Sequence, residues 1–402
     1  MRLHRNLCFT VIDSLNMIFN DGEYAGKVVE KALKRDARWG ARDRKFVAET
    51  IYDVVRWKRL YNEIAGTKDH YSRDNIWKLF AVWAVLRGIE LPDWKYFEGT
   101  PVRRIKGKFD ECQNIRAIKE SIPNWMDEVG VEELGEAVWT RELNALNEKA
   151  EVILRVNTLK IDISTLQKFL LKEEVETEKI RDNLSALRLI ERKNVFITEA
   201  FKRGYFEVQD ASSQLVAPYL EVKPGMRVID TCAGAGGKTL HLAALMENKG
   251  QIIAMDIYAG KLAQLKKRGK RAGVHNVDMR VIENTKVIKK LKDSADAVLI
   301  DAPCSGIGVL KRNPDSKWKL QPEFLDTIRN TQAEILDSYS RMVKPGGKLV
   351  YATCSILPSE NQHQIEKFLE THTDFSFVSD KKVLPSKSGF DGFYMALVER
   401  NK

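Results

Sequence analysis

After Pro224-Gly225 the sequence changes its grammar, and that change constrains the fold more than any other feature. Short β-forming runs at 227–231, 251–255, 279–282, 297–300 and 348–352 alternate with helical patterns, such as Leu262 and Leu265 leading into a Lys/Arg-rich run that ends at Arg271. Such alternation builds βα units, hence a parallel sheet with helices on both faces. The fold class expected is α/β. In an open parallel sheet the residues leaving the carboxyl ends of the strands form the ligand crevice.

Two strand ends carry the chemistry. Asp301-Ala302-Pro303-Cys304-Ser305-Gly306 follows Ala297-Val298-Leu299-Ile300, and Tyr351-Ala352-Thr353-Cys354-Ser355 follows Lys348-Leu349-Val350. A lone cysteine at a strand end is a small packing residue. Two thiols and the Asp301 carboxylate at one edge instead supply a nucleophile, a base and an acid or hydrogen-bond partner. A pyrimidine asks for that inventory. Its C5 becomes nucleophilic once a thiolate adds at C6 and a proton is supplied near N3, and a base must later remove the C5 proton.

The first strand runs into Asp230-Thr231-Cys232-Ala233-Gly234-Ala235-Gly236-Gly237-Lys238-Thr239, and a helix follows. Glycines let the backbone lie close to a ligand, and the helix amino end offers free N–H groups. A phosphate-binding loop needs glycine where Cys232 stands, and a dinucleotide loop needs glycine at Thr239. Both fail, which leaves an adenosine-type ligand without a pyrophosphate. S-adenosylmethionine fits. Asp256 lies about 20 residues beyond Gly236, where an acidic residue bonds ribose hydroxyls; the competing role is a helix N-cap. Lys238 either neutralises the methionine carboxylate or caps its helix locally.

The chain of 402 residues exceeds one ordinary core, so two or three domains are expected. Residues up to about 120 read as helical: Leu7, Val11, Ile12, Leu15 and Ile18 keep helical spacing, and residues 76–86 are apolar nearly all round. Basic residues cluster from Lys34 to Arg59 as a solvated face or an RNA-contacting one. Arg103-Arg104-Ile105-Lys106-Gly107-Lys108 reads as a connecting loop. From Val152 to Val208 strand-like runs surround a helix carrying Leu166, Phe169 and Leu170, which gives a small α+β unit. The tail at 390–398 is expected to add late strands at a sheet edge.

A formal net charge of +10 suits a polyanionic partner. The five cysteines are widely spaced with no Cys-x-x-Cys pair, so neither a disulfide framework nor a zinc site is expected, and Cys8 and Cys112 read as packing residues. The start lacks the apolar run of a secretory signal, and no segment approaches the roughly 18 apolar residues of a membrane span. A cytoplasmic location is expected.

Two resemblances extend this reading. Residues 42–57, Arg42-Asp43-Arg44-Lys45-Phe46-Val47-Ala48-Glu49-Thr50-Ile51-Tyr52-Asp53-Val54-Val55-Arg56-Trp57, are similar to the central helix of NusB-type RNA-binding domains. Cys-Ala-x-x-Gly-Gly-Lys-Thr, Asp-Ala-Pro-Cys-Ser-Gly and Thr-Cys-Ser resemble the RNA (cytosine-5) methyltransferases of the Sun/Fmu (RsmB-like) and NSUN group. So do Val208-Gln209-Asp210-Ala211-Ser212-Ser213, Lys311-Arg312-Asn313-Pro314-Asp315 with Lys317-Trp318, and Asp391-Gly392-Phe393. The resemblance covers about residues 122–398, and with its NusB-like start the whole chain resembles the bacterial 16S ribosomal RNA methyltransferases of the RsmB type.

The resemblance implies a Rossmann-like methyltransferase domain at 223–402, a pre-methyltransferase α+β RNA-binding unit at 121–222 and a helical RNA-binding domain at 1–120. It implies Cys354 as the attacking nucleophile, Cys304 as the residue that helps release the product, and Asp301 near N3 of a flipped cytosine. The order of the two cysteines rests on the resemblance alone. Cys232, Ala233, Gly234, Ala235, Gly236, Gly237 and Lys238 would form the S-adenosylmethionine loop, with Asp256 on the ribose, Glu283 toward the adenine and Asp301 beside the methionine moiety. Two departures stand out: Ala235 replaces the family's usual proline, which implies a looser turn, and Glu283-Asn284 replaces its usual aspartate. A monomer acting on RNA, most simply 16S rRNA, is expected; the rivals are the same reaction on tRNA and a non-catalytic RNA-binding assembly factor.

Overall fold

The apolar helical spacing of the first residues folds as expected. In the computed structural model, which describes residues 2–181, 183 and 185–402, helices Arg5–Phe19, Ala25–Leu33, Ala41–Arg56, Lys58–Ala65 and Arg73–Leu86 bury one core. Met1, Asp182 and Leu184 lie outside the described residues. The chain divides into two compact units: 1–148 with 310–322, and 149–309 with 323–402.

In the first unit, Arg73–Leu86 starts at Ser72, whose hydroxyl accepts from the Asn75 N–H, and its apolar circumference is buried on nearly every side. Cys8 and Cys112 are buried in this core. The basic stretch read as a loop is instead a helix, Val102–Cys112. Its Arg and Lys residues are good helix formers, and only Ile105, Phe109 and Cys112, at helical spacing, mark the inner face. Residues 310–322 complete this unit. Trp318 packs on the helical core and donates its Nε1–H to the Val55 carbonyl at 2.8 Å, and Asp315 accepts from the Ala25 N–H at 3.0 Å. Lys317 is 1% exposed and donates to the Arg56, Glu120 and Ser121 carbonyls and to Asn147 Oδ1.

The second unit holds two sheets. Strands β1 (Ile153–Val156), β2 (Thr177–Lys179), β3 (Ala186–Leu189) and β4 (Phe206–Val208) form an antiparallel sheet, order β2-β3-β1-β4, with helix Ile163–Lys172 packed on it. The larger sheet has β5 (Arg227–Asp230), β6 (Gln251–Asp256), β7 (Val277–Val281), β8 (Ala295–Asp301), β9 (Val343–Thr353), β10 (Phe375–Val383) and β11 (Phe393–Arg400). Their order is β10-β11-β9-β8-β5-β6-β7, parallel from β9 to β7. The expected parallel α/β sheet is therefore present. The tail, however, is not an edge: β11 lies between β9 and β10, antiparallel to both. A run buried from Phe393 to Val398 needs cover on both faces, which an interior position gives. The edge belongs to β10, whose mostly exposed residues carry no clear alternation.

Candidate active site

The chain enters the large sheet at β5, adds β6 and β7 on one side, then crosses to β8 on the other. The turns after β5 and β8 therefore flank the point where the strand order reverses, the place where such sheets bind ligands. A cavity of about 700 Å³ opens there, within the range of small-molecule sites. Cys232, Ala233, Gly234, Ala235, Gly237, Lys238, Asp256 and Asp301 line it, as do Ile257, Tyr258 and Ile282.

Each expected cofactor residue has a defined place. Gly236 does not line the cavity; it starts helix Gly237–Leu245 at φ +88°, and a Cβ there would sit 2.1 Å from Leu265 Cδ1. Glycine is the side chain this turn allows. Asp256 accepts from the Gly234 N–H at 2.9 Å and the Tyr258 N–H at 2.8 Å, so its carboxylate also ties two loops together. Glu283 is exposed and does not line the cavity; its neighbour Ile282 does. Ala235 is braced, because its carbonyl accepts from Arg268 at 2.8 Å.

Lys238 neither sits at the surface nor serves as a simple cap. Its ammonium donates to Asp301 at 2.6 Å, deep in the site. Burial works against that charge, yet the Asp301 carboxylate outweighs it and raises the lysine pKa. Cys232 is half-buried in the cavity wall, and desolvation pushes its thiol up to about 12, so it is a wall and not a nucleophile.

The two other thiols meet. Parallel pairing sets Asp301 opposite Ala352, so the turns beyond these strands run side by side. Cys304 Sγ and Cys354 Sγ are 3.3 Å apart. The contact with Cys354 is the chief reason the Cys304 pKa lies well above its ordinary value, with burial and the charges of Cys354 and Glu360 adding to it.

Several site residues carried no signal in the sequence. Arg155, on β1 of the small sheet, donates to Gln209 Oε1 and to the Gly237 carbonyl, and burial lowers its pKa to about 10. Glu207 on β4 pairs with Arg268 at 3.0 Å and with Arg271, both on helix Ala259–Ala272. The small sheet thus buttresses the glycine turn. Only Val208-Gln209-Asp210-Ala211-Ser212-Ser213 hinted at this, and Val208, Gln209 and Ser213 do line the cavity. A second cavity, of about 790 Å³, lies in the helical unit, with Lys58, Arg59, Lys68, Lys108, Trp125 and Trp318 among its walls.

A doubly wound sheet with a glycine turn, a strand-end aspartate and a cavity at the switch point defines a Rossmann-like methyltransferase. Comparison with known proteins narrows the class. Residues 217–399 match the family model described as 16S rRNA methyltransferase RsmB/F, and residues 122–196 match the RsmF/B-like ferredoxin-like domain. The probable ribosomal RNA small subunit methyltransferase B of Synechocystis is 29% identical over 98% of this chain and 99% of its own. The ribosomal RNA small subunit methyltransferase B of Photorhabdus laumondii is 32% identical over 71% of this chain and 68% of its own. The crystal structure of PH0851 covers all of both chains at a TM-score of 0.85 and 26% identity. That of NSun6 from Pyrococcus horikoshii with SFG shares the fold at a TM-score of 0.65 and 21% identity, over 70% of this chain and 99% of that one. The chain belongs to the RsmB/F methyltransferase family, and S-adenosylmethionine is its methyl donor.

The cavity fits that donor. Its apolar wall of Ile257, Tyr258 and Ile282 suits a base, its carboxylates suit hydroxyls and an ammonium, and its volume suits one nucleoside with a short side chain.

Proposed function

We propose that this protein methylates C5 of a cytosine in RNA, most simply 16S rRNA, through a covalent bond between Cys354 and C6. The approach of Cys304 and Cys354 to 3.3 Å, on turns that leave the paired strands β8 and β9 side by side, carries this reading. The names of the Synechocystis and Photorhabdus relatives favour small-subunit rRNA as the target.

S-adenosylmethionine would supply an electrophilic methyl group on a sulfonium, and Asp256, the turn carrying Cys232 to Lys238 and Asp301 would hold it. The Cys354 thiolate forms a bond to C6 of a base swung out of its stack. The C5–C6 π pair shifts toward C4 as N3 takes a proton from the Lys238–Asp301 pair. C5 then bonds the methyl carbon, and the old bond pair leaves with the sulfonium sulfur. Once Cys354 has become a thioether it bears no charge, so its contact and its charge no longer raise the Cys304 pKa. Cys304 then gives its proton to water and takes the C5 proton as base. The C–H pair re-forms C5=C6, Cys354 leaves as thiolate, and N3 returns its proton. One proton is released per methyl group transferred. A reducing compartment such as the cytoplasm keeps the pair as thiols, and a single chain contains every group used.

The test is a covalent protein–RNA complex that survives denaturing electrophoresis. Cys304→Ala should accumulate it on 16S rRNA, and Cys354→Ala should abolish it together with methylation. Bisulfite mapping with and without the protein should show one 5-methylcytosine appear. An adduct that persists in Cys354→Ala would overturn the assignment, and a site that maps to tRNA would overturn the substrate.

A further inference from the structure

Beneath the two thiols lies a carboxylate that the chemistry above does not use. Glu360 is fully buried. Its Oε1 accepts from the Ser305 hydroxyl at 2.5 Å and the Ser355 hydroxyl at 2.6 Å. Its Oε2 accepts from the Ser305 N–H at 2.7 Å and from Gln332 Nε2 at 3.2 Å. Four neutral donors fill the acceptor capacity of one carboxylate. Burying that charge is costly, and only complete hydrogen bonding makes it tolerable.

The identity of the partners gives the arrangement its meaning. Ser305 follows Cys304, and Ser355 follows Cys354. Gln332 also donates to the Pro303 carbonyl at 2.9 Å, the residue before Cys304. Asn361, next to Glu360, accepts from the Thr353 hydroxyl at 2.5 Å and donates to the Ser355 carbonyl at 3.0 Å, on either side of Cys354. The Tyr351 hydroxyl fixes the Glu360 carbonyl at 2.7 Å. Each thiol is thus gripped through both of its neighbours, and both grips converge on residues 360–361. An apolar filler in this space would pack the core but would not index one thiol against the other.

We propose that Glu360 is a positioning residue, a yoke that holds the Cys354 and Cys304 turns in register so that attack and release act on one bound base. The inference rests on the reading that Cys354 attacks and Cys304 releases. Its consequence is an asymmetry between two chemically identical changes. Ser355→Ala loosens the attacking side, while Ser305→Ala loosens the releasing side and leaves the Ser305 N–H bond in place.

The experiment uses the full chain with two RNAs: a natural 16S rRNA fragment, and the same fragment carrying 5-fluorocytidine, whose C5 has no proton to remove and so retains the adduct. Ser355→Ala should slow adduct formation on the fluorinated RNA by about tenfold to a hundredfold, the scale of a misplacement of about 1 Å. Ser305→Ala should form the adduct at the wild-type rate on the fluorinated RNA but accumulate it on the natural one. Glu360→Ala should show both defects, and Glu360→Asp should recover part of each. S-adenosylmethionine affinity should stay within about twofold of wild type, because the effect lies in kcat and not in binding. Thermal denaturation of each variant gives the folded fraction used for normalisation. Wild-type partitioning in all four variants, after that normalisation, would overturn the yoke. Failure of Cys304→Ala to accumulate an adduct would instead overturn the mechanism on which the yoke rests.

Discussion

Asp230 ends β5 with no exposed surface, and one of its oxygens accepts from the Thr239 hydroxyl at 2.7 Å. Burial is the main cause that pushes its pKa up to about 7, with the Asp301 charge adding to it. Across the window from about 4 to about 7, the native state keeps a proton that the unfolded chain has released. The folded state is therefore most favoured below the unfolded value and loses stability as pH rises through the folded one. The full effect is on the order of 4 kcal/mol. Asp230→Asn should flatten the fall in Tm between about pH 4 and about pH 7 that the wild type shows; an unchanged slope would assign the proton elsewhere. At this scale the sequence was informative where chemistry is local. Asp301, Cys304 and Cys354 could be read because each follows a β-forming run. Glu360 could not, since its role exists only when donors from residues 305, 332 and 355 close around it.

The turns that carry the thiols are held as closely by backbone as by side chains. Gly308 donates its N–H to the Cys354 carbonyl at 3.0 Å, and its own carbonyl accepts from the Gly392 N–H at 2.7 Å. A Cβ on Gly308 would meet the Gly392 oxygen at 2.4 Å and the Cys354 oxygen at 2.7 Å. Gly308→Ala should therefore cost about 1–3 kcal/mol in chemical denaturation. It should also lower single-turnover methyl transfer by about a hundredfold. Gly260→Ala, on a helix with open space at its Cβ, is the control and should gain about 0.5–1 kcal/mol. This close approach explains why an Asp391-Gly392-Phe393 block accompanies the two cysteine motifs: three turns need to touch where no side chain fits. The parallel strands were legible as apolar runs bounded by turns. Helix Val102–Cys112 and strand β10 were not, because each shows the core too few apolar residues to set a period.

Taken whole, the chain pairs a catalytic unit with a helical unit whose larger cavity offers lysines and indoles. If that cavity takes an RNA strand, each phosphate that a lysine no longer neutralises should reduce the salt dependence of binding by about 0.7 in log–log slope. Lys68→Gln with Lys108→Gln should then weaken specific and unrelated RNA alike and reduce the slope by about 1.4; an unchanged slope would place the strand elsewhere. Residues 310–322 bear on a different question. They arise between β8 and the helix Pro322–Ser340, yet Lys317 and Trp318 are spent inside the fold of residues 1–148. A protease nick between residues 148 and 149 should leave the two fragments co-eluting on a sizing column, and a chain begun at residue 149 should aggregate around a stranded ammonium and indole. Recombination at that boundary cannot hand the helical unit on as a self-contained cassette, because part of its interior is encoded within the gene segment for the other half.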